Sequence, residues 1–149
     1  MKSESVQKGD SRMASRIGTM SPAQIFALVF GVVYLIVGII GFAVTGFDGF
    51  AAQTYDEQLL IFPVNPLHNV VHVLLGAVWL WAAGDHRQAR SVNLILGIVL
   101  ILVAILGLTG VLKFLAIKDA GSADNYLHLA TGALAIYFGT AGSDLGVST

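Results

Sequence analysis

The chain contains no cysteine. That excludes a disulfide framework, a thiolate metal site and a cysteine nucleophile. Charge is almost as scarce: eight basic and nine acidic residues make up 11% of the 149 positions, against roughly 25% in a soluble globular chain. A soluble domain of this size needs a polar shell, and these few residues, gathered in short clusters, do not supply one. The formal net charge of -1 lacks the basic balance of a nucleic-acid binder. The phosphate loop G-x-x-x-x-G-K-[ST], the nucleophile elbow G-x-S-x-G and the zinc-protease helix H-E-x-x-H are also missing. The chain reads as a non-enzyme.

What is present is apolar surface: 56% hydrophobic residues and a mean hydropathy of +0.79. Four apolar stretches lie near residues 23–46, 65–83, 92–112 and 124–142. At a rise of about 1.5 Å per residue, a hydrocarbon layer of roughly 30 Å takes about 20 helical residues. Backbone amides in lipid must be satisfied internally, which favours helices. The predicted fold is all-α, a four-transmembrane-helix bundle over residues 23–142, with a polar cytoplasmic tail at 1–22 and a short one at 143–149. The first stretch exceeds the usual 7–15-residue core of a signal peptide and no small-x-small cleavage site follows it, so a retained first helix is expected.

Lys2, Lys8, Arg12, Arg16, Arg87 and Arg90 fall on one side of such a topology. The other side has only Lys113 and Lys118, and its first loop, Phe47 to Val64, carries three acids and no base. By the positive-inside rule both termini and the middle loop, Gly84 to Arg90, face the cytoplasm of a bacterial inner membrane. Trp79 and Trp81 are then expected in the cytoplasmic headgroup layer, and His86 as a solvated loop residue. The long outer loop holds Phe47, Phe50, Tyr55, Leu59, Leu60, Ile61 and Phe62. It is predicted to lie along the interface or over the bundle mouth as an amphipathic segment.

An internal repeat is visible. Asn69-Val-Val-His72-Val-Leu-Leu-Gly76-Ala77 and Asn125-Tyr-Leu-His128-Leu-Ala-Thr-Gly132-Ala133 share N-x-x-H-x-x-x-G-A. The helices before them carry Gly31, Gly38 and Gly41 in one case and Gly97, Ala104 and Gly107 in the other, at the same spacings. The chain reads as two helical hairpins inserted the same way up, a parallel repeat rather than the inverted kind. The small residues are expected to line the interior, where missing side-chain bulk lets backbones approach. Faces not used internally are expected to offer small-residue grooves to partners. Asn65-Pro66 is a good helix start, and Ser122, Asp124 and Asn125 offer the equivalent cap.

Three of the four histidines fall in one zone. His68 and His72, four apart, share a helix face. His128 is the repeat partner of His72, and Asp124 that of His68. If the two faces meet, three imidazoles and a carboxylate converge, a set suited to zinc, or to copper in another geometry. Two histidines alone would serve as axial haem ligands. The plainer reading assigns no cofactor: the rings hydrogen-bond across the bundle, steadied by Asn69 and Asn125, and Asp124 is a helix-start residue. Tyr34, Tyr126 and Thr131 are read as packing and hydrogen-bonding residues.

Gly31-Val-Val-Tyr-Leu-Ile-Val-Gly38-Ile-Ile-Gly41-Phe42, Val64-Asn65-Pro66-Leu67-His68-Asn69-Val-Val-His72-Val-Leu-Leu-Gly76 and Asp124-Asn125-Tyr-Leu-His128 together resemble the bacterial domain-of-unknown-function 4383 family of four-helix membrane proteins. N-P-L-H-N-x-x-H is the most specific part, and the resemblance spans about residues 23–140. It implies a small bacterial inner-membrane protein and brings no assigned activity, cofactor or substrate. The expected role is an accessory or structural component of a homo-oligomer or larger membrane complex. The alternatives are a metal- or haem-binding protein using His68, His72, Asp124 and His128, and a carrier or channel for a small neutral solute.

Overall fold

The computed structural model describes residues 20–53 and 55–141; residues 1–19 of the predicted 1–22 tail and all of the predicted 143–149 tail lie outside them. Four helices dominate: α1 Pro22–Thr45, α2 Pro66–Ala82, α3 His86–Leu108 and α4 Ala123–Gly139. The start of α1 is fixed by a capping box. Gln24 N donates to Ser21 Oγ at 3.3 Å, and Ser21 N donates to Gln24 Oε1 at 3.1 Å, with Pro22 in the first turn. Helix α2 starts as its sequence suggests, the Asn65 side chain accepting from His68 N at 2.9 Å.

Helix α3 begins at His86, earlier than the predicted position 92, because Asp85 caps it by accepting from Gln88 N at 2.9 Å. Arg87 and Arg90 thus ride on its first turns rather than in a loop. It ends at Leu108, ahead of Gly110 at φ +74°. A 3-10 turn follows at Lys113–Leu115. Ser122 precedes α4 without capping it through its side chain. Its Oγ instead accepts from Lys118 N and Asp119 N, at 3.0 and 3.3 Å, folding the preceding loop.

The outer loop forms a small antiparallel ribbon, β1 Gln58–Leu59 and β2 Phe62–Pro63, with Leu59 opposite Phe62. Leu60 turns between the strands at φ +62°. The ribbon closes over the start of α2: Leu67 N donates to Phe50 O at 2.9 Å. Asn65 Nδ2 donates to both Ala52 O and Phe114 O, at 3.0 and 2.8 Å.

The closest packing is within consecutive pairs, α1 with α2 and α3 with α4. Both pairs run antiparallel. Gly31 lies on Leu80 while Gly41 lies on Asn69; Gly97 lies on Ile136 while Gly107 lies on Asn125. The approach is backbone on backbone, since a Cβ at Gly76 would stand 2.5 Å from Leu35 N and one at Gly132 2.9 Å from Gly97 O. The helical glycines are therefore spent inside the pairs. The exposed faces carry Ile36, Ile39, Leu74, Ile95, Leu102 and Leu134, with Ala77 on α2 and Ala130 and Ala133 on α4 as exposed small residues.

The core holds Phe26, Tyr34, Trp79 and Leu100 together with fully buried Asn65, Asn69, Asn93, Asp124 and Asn125. Trp79 is a correction to the sequence reading. It is 0% exposed, packed edge-on to Phe26 and Tyr34 at centroid distances of 6.0 and 5.0 Å, while Trp81 alone faces outward. Two helices, α1 and α3, are long and apolar enough to cross a membrane, and α2 is a shorter apolar helix.

Candidate functional site

The first turns of α2 and α4 lie at one end of the molecule and bring their ionisable side chains together. His68 and His72 point the same way from α2, as their four-residue spacing requires. Their Nε2 atoms are 3.1 Å apart, close enough for one N–H to lie between them. His128 comes from α4, its ring centroid 6.1 Å from that of His68 and 6.2 Å from that of His72. One ligating nitrogen from each of the three rings falls within 4.8 Å of the other two. Asp124, one turn before His128, places Oδ1 3.9 Å from His68 Nε2. All four side chains are buried.

The surroundings are apolar. His68, His72 and His128 line a cavity of about 70 Å³ whose other walls include Val71, Leu75, Val99, Leu100, Val103 and Ile117. Tyr34 stacks edge-on to the His72 ring at 5.0 Å, and its hydroxyl faces Thr131 of α4. The backbone of Pro63 in the ribbon and of Leu115 in the 3-10 turn faces the His68 ring, so the loops cover the site from above.

The hydrogen-bond accounting is incomplete. The Nδ1 atoms of all three histidines and Oδ2 of Asp124 are buried without a well-formed hydrogen bond. A buried polar group left unpaired costs about 1–3 kcal/mol, so this end of the core is dear to keep.

The asparagines do not steady the rings. Asn69 Nδ2 donates to Thr45 Oγ1 at 3.0 Å, and Asn125 Nδ2 donates to Asp119 O at 2.7 Å. Each instead packs on a glycine of the neighbouring helix, Gly41 or Gly107, and binds the loop or helix end behind it. Nor does a haem fit between His72 and His128. A cavity of about 70 Å³ is room for about two waters, and the aliphatic walls leave no slot for a macrocycle.

The N-P-L-H-N-x-x-H turn and both histidine helices fall inside one family match. The model of Domain of unknown function (DUF4383) covers residues 24–141. The chain belongs to this family. No curated protein and no solved structure matches it.

Some residues of this DUF4383 chain escape a sequence reading. Asn93 on α3 is 0% exposed; its Oδ1 accepts from Trp79 Nε1 and its Nδ2 donates to Ala23 O, each at 3.0 Å. A lone asparagine near the polar end of an apolar run gives no signal of this. His86 is not simply solvated, for its Nδ1 lies 2.7 Å from Ser21 Oγ, joining the starts of α1 and α3.

Proposed function

We propose that this protein is a non-enzymatic, multi-pass protein of the bacterial cytoplasmic membrane, working as an accessory or structural component of a homo-oligomer or larger membrane complex. The observation that carries the reading is the inverted distribution of polarity. Asn65, Asn69, Asn93, Asn125, Asp124 and three histidines are inside, while large aliphatic side chains along α1 and α3 are outside. In water this arrangement forfeits hydrophobic burial; in lipid it costs nothing on the outside, while inside the amide nitrogens of the four asparagines donate within the bundle and its loops. Helices α2 and α4, at 17 residues each, reach about 26 Å, and flanking loop residues complete their spans. Exposed Phe47, Phe50, Leu60 and Ile61 suit an interfacial ribbon at the outer end.

The two pairs behave as parallel repeats in this reading. Gly31 on Leu80, Gly41 on Asn69 and Gly76 on Leu35 have their counterparts in Gly97 on Ile136, Gly107 on Asn125 and Gly132 on Ile101. Those six pairs preserve one register between the halves. Positive loops place the termini and the α2–α3 turn on the cytoplasmic side. With its glycines used internally, the protein meets partners through the aliphatic faces and the exposed Ala77, Ala130 and Ala133.

The test is extraction in mild detergent followed by native mass spectrometry. A homo-oligomer, or a stoichiometric complex with another membrane protein, is the expected result. A particle that is strictly one chain with lipid alone overturns the role.

A further inference from the structure

We infer that His68, His72 and His128 form a binding site for one divalent transition-metal ion, zinc being the best suited, with the Asp124 carboxylate beside it as the ion's charge partner and the fourth coordination position open to the adjoining cavity. This goes beyond the role proposed above and does not depend on it.

The donor set comes first. Imidazoles without thiolates suit zinc, copper or nickel rather than magnesium or calcium. Two nitrogens on a tetrahedral zinc, at 2.0–2.1 Å each, stand about 3.3 Å apart. His68 and His72 already present theirs at 3.1 Å, and the third nitrogen lies within 4.8 Å of both, so rotation of His128 closes the set. Coordination through Nε2 of His68 puts the ring's proton on Nδ1, with the backbone of Leu115 and Pro63 beside the ring to receive it, a contact of the kind that fixes the tautomer of a ligating imidazole.

Electrostatics then assigns Asp124. Helices α2 and α4 both start here, and each N-terminus carries roughly half a positive charge. Together they oppose a cation by about one unit, which the carboxylate offsets. Asp124 approaches only His68, at 3.9 Å, and is not among the residues lining the cavity. Because Nε2 of His68 is the nitrogen that would hold the metal, the carboxylate stands on the ion's side of that ring and offsets the ion's charge rather than holding an imidazole N–H. The coordination position facing Val99, Leu100 and Val103 is left for water or another small ligand, the arrangement of three protein ligands plus one exchangeable site.

The experiment uses the full-length, tag-free protein in detergent, stripped of metal and titrated with zinc, then with cobalt as a visible probe. About one ion per chain is expected, with the intense visible bands of four-coordinate cobalt. His72→Gln and His128→Gln are expected to lower affinity at least tenfold, on the scale of about 10–100-fold known for weaker outer-shell losses. Asp124→Asn is expected to weaken binding about 10–100-fold with the cobalt bands in place. His86→Gln, at the opposite end, is expected to bind as the parent does. A folded, monodisperse parent that takes up no zinc or cobalt overturns the site. So does binding that survives the His72→Gln and His128→Gln changes combined, or that is lost with His86→Gln. Changed cobalt bands in Asp124→Asn overturn the three-histidine assignment by making the carboxylate a ligand.

Discussion

The indole N–H of Trp79 donates to the side-chain oxygen of Asn93 at 3.0 Å, with both residues fully buried. Because Asn93 also donates to Ala23 O, one amide ties α1, α2 and α3 together where the chain passes from the first hairpin to the second. Replacing Asn93 by Leu strands the indole donor and is expected to cost about 1–3 kcal/mol, read as a lower thermal midpoint in detergent by tryptophan fluorescence. Trp79→Phe removes the donor itself, so the double variant should lose less than the sum of the singles. Strict additivity would show that the pair is not coupled.

Glycine contacts within the hairpins give a second, matched test. A Cβ at Gly76 meets the backbone of Leu35 and Gly31, and one at Gly132 meets Gly97 O. Backbone cannot swing aside as a side-chain tip can. Gly76→Ala and Gly132→Ala should each destabilise by about 1–3 kcal/mol through overpacking. Gly84→Ala, whose nearest neighbour is Trp81 O at 3.6 Å, should be close to neutral. Equal midpoints for all three in the same detergent would mean that the helices do not approach as closely as described.

How much of this was legible in the sequence follows from what each signal measures. Apolar runs are long-range averages, so they located four helices yet missed the start of α3, where charged Arg87 and Arg90 continue the helix behind the Asp85 cap. The Asn-His-Gly echo located the glycine contacts because close backbone approach tolerates few residue types. It also pointed to the histidine cluster, since α2 and α4 begin at the same end. It could not give the partners of Asn69 and Asn125, which depend on Thr45 and on the fold of the loop at Asp119. Trp79 was misplaced because proximity to a helix end says nothing about rotation about the axis, and Trp79 and Trp81 point to opposite sides.

The absence of native cysteine makes the membrane topology directly testable. Asp56 and Gln88 are exposed at opposite ends, and Leu102 is exposed within the apolar run of α3, six residues before its last residue, Leu108. A membrane-impermeant maleimide should label Asp56→Cys on cells whose cytoplasmic membrane is intact and label Gln88→Cys only once that membrane is opened. Leu102→Cys should resist labelling until the lipid is removed, because thiolate formation and a polar reagent are both disfavoured in hydrocarbon. Labelling of Gln88→Cys with the membrane intact would reverse the orientation; ready labelling of Leu102→Cys before lipid removal would place α3 in water.

Asn65 makes three ties at once: its oxygen caps α2 at His68 N, and its nitrogen holds Ala52 O of the outer loop and Phe114 O of the 3-10 turn. These functions separate by substitution. Asn65→Ala removes all three and should cost at least the ~1 kcal/mol typical of an N-cap. Asn65→Asp keeps an oxygen for the cap, and its negative charge suits a helix N-terminus, but it has no donor for the two carbonyls. The aspartate variant should therefore retain amide protection at the start of α2 while exchange accelerates around residues 50–53 and 113–116. Parent-like protection of both loops in Asn65→Asp would show that their own backbone contacts, such as Leu67 N to Phe50 O, suffice to hold the cover over His68, and that the asparagine serves the helix alone.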